Sequence, residues 1–360
     1  MAGSATESVP ARPRSSPSAT ASVVSPAAGR RRRRVLALLA LLVATGVAVL
    51  LSIAVGARAM PLEAVWHALV APTGTEDDVV VRTLRVPRTV LGLLAGVALG
   101  VAGALMQGHT RNPLAEPGLL GINHGAAFAA VLGIYALGLT SLYSYVWLAF
   151  VGALLASVAV FVLGSAGRAG PTPVTLALAG AAIAALLHAL TSTVVLLDDQ
   201  ALDVYRFWKV GGIAGRDAAL VWQLVPFVGV GLVLALSNAA ALNALALGED
   251  VARSLGHRVL VARVTGVVAV TLLTGAVVAV CGPIGFVGLV VPHIARSVLG
   301  DDYRWVLPGS ALLGATLLLL ADVAGRVVAR PGELQVGIML AAVGAPFFVA
   351  LVRRRKLVRL

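Results

Sequence analysis

The side chains able to do chemistry in this sequence fall into four groups, and none is spaced for catalysis by this chain alone. The first is Arg85-Val86-Pro87-Arg88. Two guanidinium groups this close suit carboxylates, and equally suit anchoring at a membrane edge by side chains that reach toward water. The second is Asp322 and Arg326, whose i,i+4 spacing puts them on one helix face. That spacing fits a neutralising pair, while the five donors of Arg326 leave part of it able to point outward. The third runs from Gln107 to Gly121 around Asn112-Pro113-Leu114-Ala115-Glu116-Pro117-Gly118. Its two prolines break a helix and predict a structured turn. The fourth is Leu247-Gly248-Glu249-Asp250-Val251-Ala252-Arg253-Ser254-Leu255-Gly256. Acids early and arginine late is the order a helix dipole favours, and Gly256 is positioned to end the helix. A short amphipathic helix here can lie on a membrane or dock into a cytoplasmic partner.

Several chemistries are excluded. The only lysines are Lys209 and Lys356, and neither follows a glycine, so no Gly-x-x-x-x-Gly-Lys loop holds a nucleotide. Neither His-Glu-x-x-His nor Gly-x-Ser-x-Gly occurs. His67, His109, His124, His188, His257 and His293 are scattered, so no metal site is expected. The single cysteine, Cys281, excludes an intrachain disulfide. A transporter driven by ions or protons needs ionisable relays at mid-membrane. The apolar runs supply only His188 and His124, with no carboxylate. An intramembrane enzyme needs a base and a nucleophile paired at depth, and none is visible.

These groups must be positioned by membrane helices. Of 360 residues 59% are hydrophobic and 12% charged, where soluble domains carry about 25% charged residues. The expected fold class is all-α, a polytopic membrane protein with ten spans. They lie near 35–56, 88–108, 119–138, 145–165, 174–197, 219–238, 261–281, 284–299, 305–328 and 336–352. The 284–299 segment is interrupted by Gly285, Gly288 and Pro292, so it is expected to be covered by protein or to line a cavity. Pro61–Trp66 and residues 198–216 are expected to form short surface helices on the outer side. The net charge of +12 first suggests nucleic acid. Its distribution over a tail, loops and the C-terminus instead reads as topology signals.

Residues 1–34 are expected to form a disordered, basic cytoplasmic tail, and 35–360 one membrane unit. A secretory signal core runs about 7–15 residues. The apolar stretch before Ala57-Arg58-Ala59 is longer, so a retained first helix is expected. With both termini cytoplasmic, 19 of the 28 Lys and Arg fall inside. Arg58, Arg82, Arg85, Arg88, Arg206, Lys209, Arg216, Arg326 and Arg330 fall outside.

The four groups, in order, resemble the FecCD-type permeases, the membrane subunits of bacterial ABC importers for iron–siderophores, haem and cobalamin. Further matching pieces are Trp208-Lys-Val-Gly-Gly212, Gly282 through Arg296, Ala321-Asp322…Arg326…Glu333 and Gly344-Ala-Pro-Phe347, over residues 35 to 353. The resemblance implies ten helices in the bacterial cell membrane and a second permease subunit, identical or related. It also implies two ATPase subunits that carry ATP and Mg, and an extracytoplasmic substrate-binding (lipo)protein. This chain then binds no cofactor itself, and ferric siderophores lead cobalamin and haem as cargo. The 247–256 segment corresponds to a coupling helix, with Leu247, Gly248, Glu249, Asp250, Arg253, Leu255 and Gly256 against the ATPase. Arg85, Arg88 and Arg326 correspond to arginines that receive carboxylates of the binding protein. Thr172, Pro173 and Val174 correspond to a cytoplasmic gate. Gln335 departs from the family's usual proline, which puts the local geometry near Arg326 in question, and the tail lies outside the family's common core.

Overall fold

The computed structural model describes residues 26–166 and 171–353, and those residues contain helices and no strands. In chain order the first elements are α1 (Pro26–Ala54), α2 (Leu62–Val70), α3 (Glu76–Val79), a π-helical stretch (Val80–Arg85) and α4 (Val86–Thr110). A 3-10 turn (Pro117–Leu120) leads into α5 (Ile122–Leu137), α6 (Leu142–Ser165) and α7 (Pro173–Leu197). Then come α8 (Asp199–Val210), α9 (Ala218–Ser237), α10 (Ala239–Ala246), α11 (Glu249–Ser254) and α12 (Val259–Cys281). The last three are α13 (Val287–Leu299), α14 (Tyr303–Val328) and α15 (Val336–Arg353).

Among the described residues, seven helical stretches are long and apolar enough to cross a membrane. The shorter apolar helices α5, α13 and α15 complete the ten segments read from the sequence. The two expected surface helices correspond to α2 and α8. One boundary differs: α1 starts at Pro26, so Arg30–Arg34 are helical rather than part of a disordered tail. Arginine is a good helix former, and the apolar turns that follow supply the nucleus. Residues 1–25, with Arg12 and Arg14, lie outside the described residues, as do Arg168, Arg354, Arg355, Lys356 and Arg359.

The centre of the bundle is α4, packed against α14, α12, α13 and α9. Its glycines make this close approach possible, the small-residue packing typical of membrane helices. Gly96 faces the backbone of Gly314 and Ala315, and a Cβ there would lie 2.5 Å from the Cα of Ala315. Gly96→Val is therefore expected to disrupt the α4–α14 contact. Overpacking usually costs about 1–3 kcal/mol, and backbone rather than a movable side chain blocks the new methyl groups here. The variant should leave little monodisperse protein on size-exclusion chromatography in detergent; a wild-type elution profile would contradict this packing.

The segment expected to be interrupted is a break between two helices. α12 ends at Cys281, and Gly282–Phe286 is irregular, with Phe286 in a left-handed conformation (φ 68°). α13 then starts at Val287 and packs where Gly103 of α4 meets Gly288. Gly103 lies seven residues before the end of α4, about 10 Å along its axis. The start of α13 therefore lies inside the bundle, where Val287 and Val291 are buried, and irregular backbone at that depth is tolerated because protein covers it.

Candidate functional site

At the end of the bundle where α1 finishes and α4 begins, six charged groups converge: Arg85, Arg88, Asp322, Arg326, Arg330 and Glu333. Arg85 donates from Nη1 to the carbonyls of Ile53 (3.0 Å) and Ala54 (2.7 Å), and from Nη2 to that of Arg58 (2.8 Å). Arg326 donates from Nη1 to the carbonyls of Ser52 (2.9 Å) and Val55 (2.8 Å), and from Nη2 to Ser52 Oγ (2.9 Å). The last carbonyls of a helix have no partner within it. These two arginines satisfy them for α1 and complement its dipole. Arg330 adds a bond to the Gly56 carbonyl at 2.9 Å.

Asp322 supplies the countercharge. Its carboxylate meets Arg326 Nη2 at 2.7 Å and Arg88 Nη2 at 2.8 Å, and Arg88 Nη1 reaches Glu333 at 2.6 Å. Asp322 and Arg326 are each only 1% exposed, and Arg85 5%. The expectation that Arg85 and Arg326 face outward toward a partner is corrected accordingly. Their donors point into the protein because a helix end and a shared carboxylate draw them there. Arg88 differs, since its Glu333 partner keeps 34% of its side chain exposed. Gln335, the departure noted in the sequence, precedes α15 and accepts from Ile338 N–H at 3.0 Å, so the chain turns into that helix without a proline.

The opposite end carries the Leu247–Gly256 segment. Gly248 (φ 117°) turns the chain out of α10, and α11 follows from Glu249 to Ser254. Gly256 (φ 84°) ends it: Gly256 N–H bonds the Arg253 carbonyl at 2.9 Å and His257 N–H the Ala252 carbonyl at 3.0 Å. That pairing, with glycine in the left-handed conformation, is the Schellman stop. Glu249 is the pivot. It pairs with Arg253 at 3.2 Å and with Arg263 of α12, while Asp250 pairs with Arg253 at 2.9 Å. Arg263 is buried, so its bond to Glu249 ties α11 rigidly to a long membrane helix. Ala252 faces inward, while Val251 of α11 and the flanking Leu247 and Leu255 are exposed apolar side chains. Beside α11 lies a groove of about 520 Å³ bordered by Pro171, Glu249, Arg253, His257 and Arg258.

Thr172, Pro173 and Val174 begin α7. Thr172 caps the helix in a capping box with Thr175, Pro173 takes the first helical position, and Val174 is exposed. In the Gln107–Gly121 turn, Asn112 Oδ1 accepts from Leu114 N–H at 2.9 Å, and Pro117 opens the 3-10 turn that Gly118 continues. Pro117 packs on Gly288, and Glu116 accepts the Phe286 N–H at 3.3 Å. A carboxylate therefore does reach into the bundle, carried by a re-entering loop rather than by a span. Among the described residues no group of three or more His, Cys, Asp or Glu could hold a metal ion.

Sequence reasoning missed Arg263 as the anchor of α11 and Glu116 as the cap at the helix break. A signal existed for the first: an arginine one turn into an apolar run needs a partner when buried. For the second there was none, because only the fold brings residues 116 and 286 together.

The chain is 46% identical over 323 residues to the ferric enterobactin transport system permease protein FepD of Escherichia coli K12, covering 89% of this chain and 96% of FepD. It is 38% identical over 308 residues to the hemin transport system permease protein HmuU of Yersinia pestis, covering 84% and 90%. A solved structure described as an inward-facing conformation of a metal-chelate type ABC transporter superposes with a TM-score of 0.77 at 27% identity, covering 88% of this chain and 98% of that one. The model of the FecCD transport family matches residues 41–354. With the ten apolar segments and the ordered motifs at both ends, this coverage settles the family: the chain is a membrane protein of the FecCD transport family.

Proposed function

We propose that the chain is the permease subunit of a binding-protein-dependent importer of ferric siderophores in the bacterial cell membrane, driven by ATP hydrolysed on two partner ATPase subunits. The observation that carries this reading is α11: a short helix tied to α12 through Glu249 and Arg263, with Leu247, Val251 and Leu255 bare. A rigid tie transmits displacement, and exposed apolar side chains beside a charged groove suit insertion into another protein. Mg and ATP then belong to the partners, and this chain supplies the path and the lever. The siderophore reading leads the haem reading on the 46% against 38% identities to FepD and HmuU.

A second permease subunit is expected to pack on the exposed faces of α7, where Thr172, Pro173 and Val174 from each copy would narrow the path on the cytoplasmic side. On the outer face, Arg88 is the contact for a carboxylate of the binding protein, which would take the position of Glu333. Such a charge-assisted exchange supplies register as well as attraction. A tagged chain purified from cells at native expression should bring its ATPase with it, and Leu247→Asp with Leu255→Asp should release that partner while the permease stays folded. Recovery of the chain without any ATPase, or unchanged recovery from the double variant, would contradict the reading.

A further inference from the structure

The start of α1 carries a cluster that the importer mechanism does not use. Arg30, Arg31 and Arg34 border a groove of about 350 Å³ with Trp305 of α14. The Arg34 guanidinium lies 5.9 Å from the Trp305 ring centroid and 3.8 Å from Asp302. Asp302 is itself engaged, accepting from Asn243 Nδ2 at 2.7 Å and from Arg304 N–H at 3.0 Å. It thus orients Arg34 without neutralising the run, and Arg30 and Arg31 are exposed. Directly after the arginines, α1 turns an apolar face outward: Leu36, Leu39, Leu42 and Val43 are all more than half exposed.

From this arrangement we infer an anionic phospholipid site formed by Arg30, Arg31, Arg34 and Trp305. The head-group chemistry is that of a phosphate, which guanidinium forks bind in bidentate fashion. The tail chemistry excludes free phosphate as the natural occupant, because the basic groove runs into a stripe made for hydrocarbon. An indole at that level is the usual residue of a membrane interface, and polybasic segments next to a membrane helix attract anionic lipids. Arg34, oriented by both Asp302 and Trp305, makes this more than a diffuse positive patch.

The test uses the full chain in nanodiscs of phosphatidylcholine with phosphatidylglycerol, followed by native mass spectrometry to count retained phosphatidylglycerol. The triple variant Arg30→Lys, Arg31→Lys, Arg34→Lys keeps the charge that orients the helix but removes the forks. It should retain about fivefold less phosphatidylglycerol, since lysine does not replace arginine at a bidentate site. Trp305→Leu, which keeps all five arginines, should lower retention in the same direction. Arg32→Lys with Arg33→Lys, outside the groove, should leave it unchanged, and added inorganic phosphate should not displace the lipid. Wild-type retention in both groove variants, or displacement by phosphate alone, would overturn the proposal.

Discussion

Glu249→Arg is expected to uncouple uptake from ATP hydrolysis. In the wild type, one carboxylate holds both Arg253 and the buried Arg263, and so joins α11 to α12. The substitution leaves three guanidinium groups at one point, with Asp250 on the exposed side as the remaining neighbouring acid. Removing one partner of a fully buried pair usually costs about 3–5 kcal/mol because a charge is left uncompensated; Glu249 keeps 30% of its side chain exposed, so the cost is smaller. Here the cost falls on the joint between lever and bundle. Substrate carried per ATP should drop roughly tenfold or more, the scale of a coupling free energy of about 1–3 kcal/mol. The partner ATPases should go on hydrolysing ATP. Glu249→Gln keeps an acceptor toward Arg263 and should lie between the two. Uptake at the wild-type rate in Glu249→Arg would remove α11 from the coupling path.

Asp322→Asn is expected to be the most destabilising single change at the outer end. Asp322 is 1% exposed and serves Arg88 and Arg326 together. Without its charge, two closely spaced guanidinium groups share Glu333 alone, which already bonds Arg88 and is partly in water. Arg326 must still hold the end of α1, so it cannot swing away. The loss should be about 3–5 kcal/mol, read as a fall in the melting temperature of the detergent-purified chain. Adding Arg326→Gln should recover part of it, because the double variant removes the uncompensated charge, although the Ser52 and Val55 carbonyls then lose donors. An unchanged melting temperature for Asp322→Asn would show that this carboxylate is not the keystone of the cluster.

Much of the fold was legible because apolar runs and their Gly and Pro punctuation are local signals. The segment expected at 145–165 became Leu142–Ser165, and that at 261–281 became Val259–Cys281. The α11 stop was legible too, since Gly256 acts within one turn of chain. What escaped notice depends on contacts that no local pattern encodes. Arg326 reaches Ser52 across 274 residues of sequence, so its outward-facing reading gave way to a helix-capping role. Arg263 looked like one more inside charge until the fold brought Glu249 to it. Glu116 lies in a polar loop by sequence, and only the return of that loop against α13 carries its carboxylate inward. The start of α1 at Pro26 was hidden by the Ser- and Pro-rich residues before it, which say nothing about where helix begins.

The central claim is that this chain is a path and a lever, with the energy supplied by ATP hydrolysis on a partner. It is tested most directly by uptake of a radiolabelled ferric siderophore into proteoliposomes holding the permease with its ATPase and binding protein. Uptake that requires ATP, and that stops when the ATPase is replaced by a hydrolysis-deficient variant, is the predicted result. Uptake that proceeds on a proton gradient with no ATPase present would contradict it.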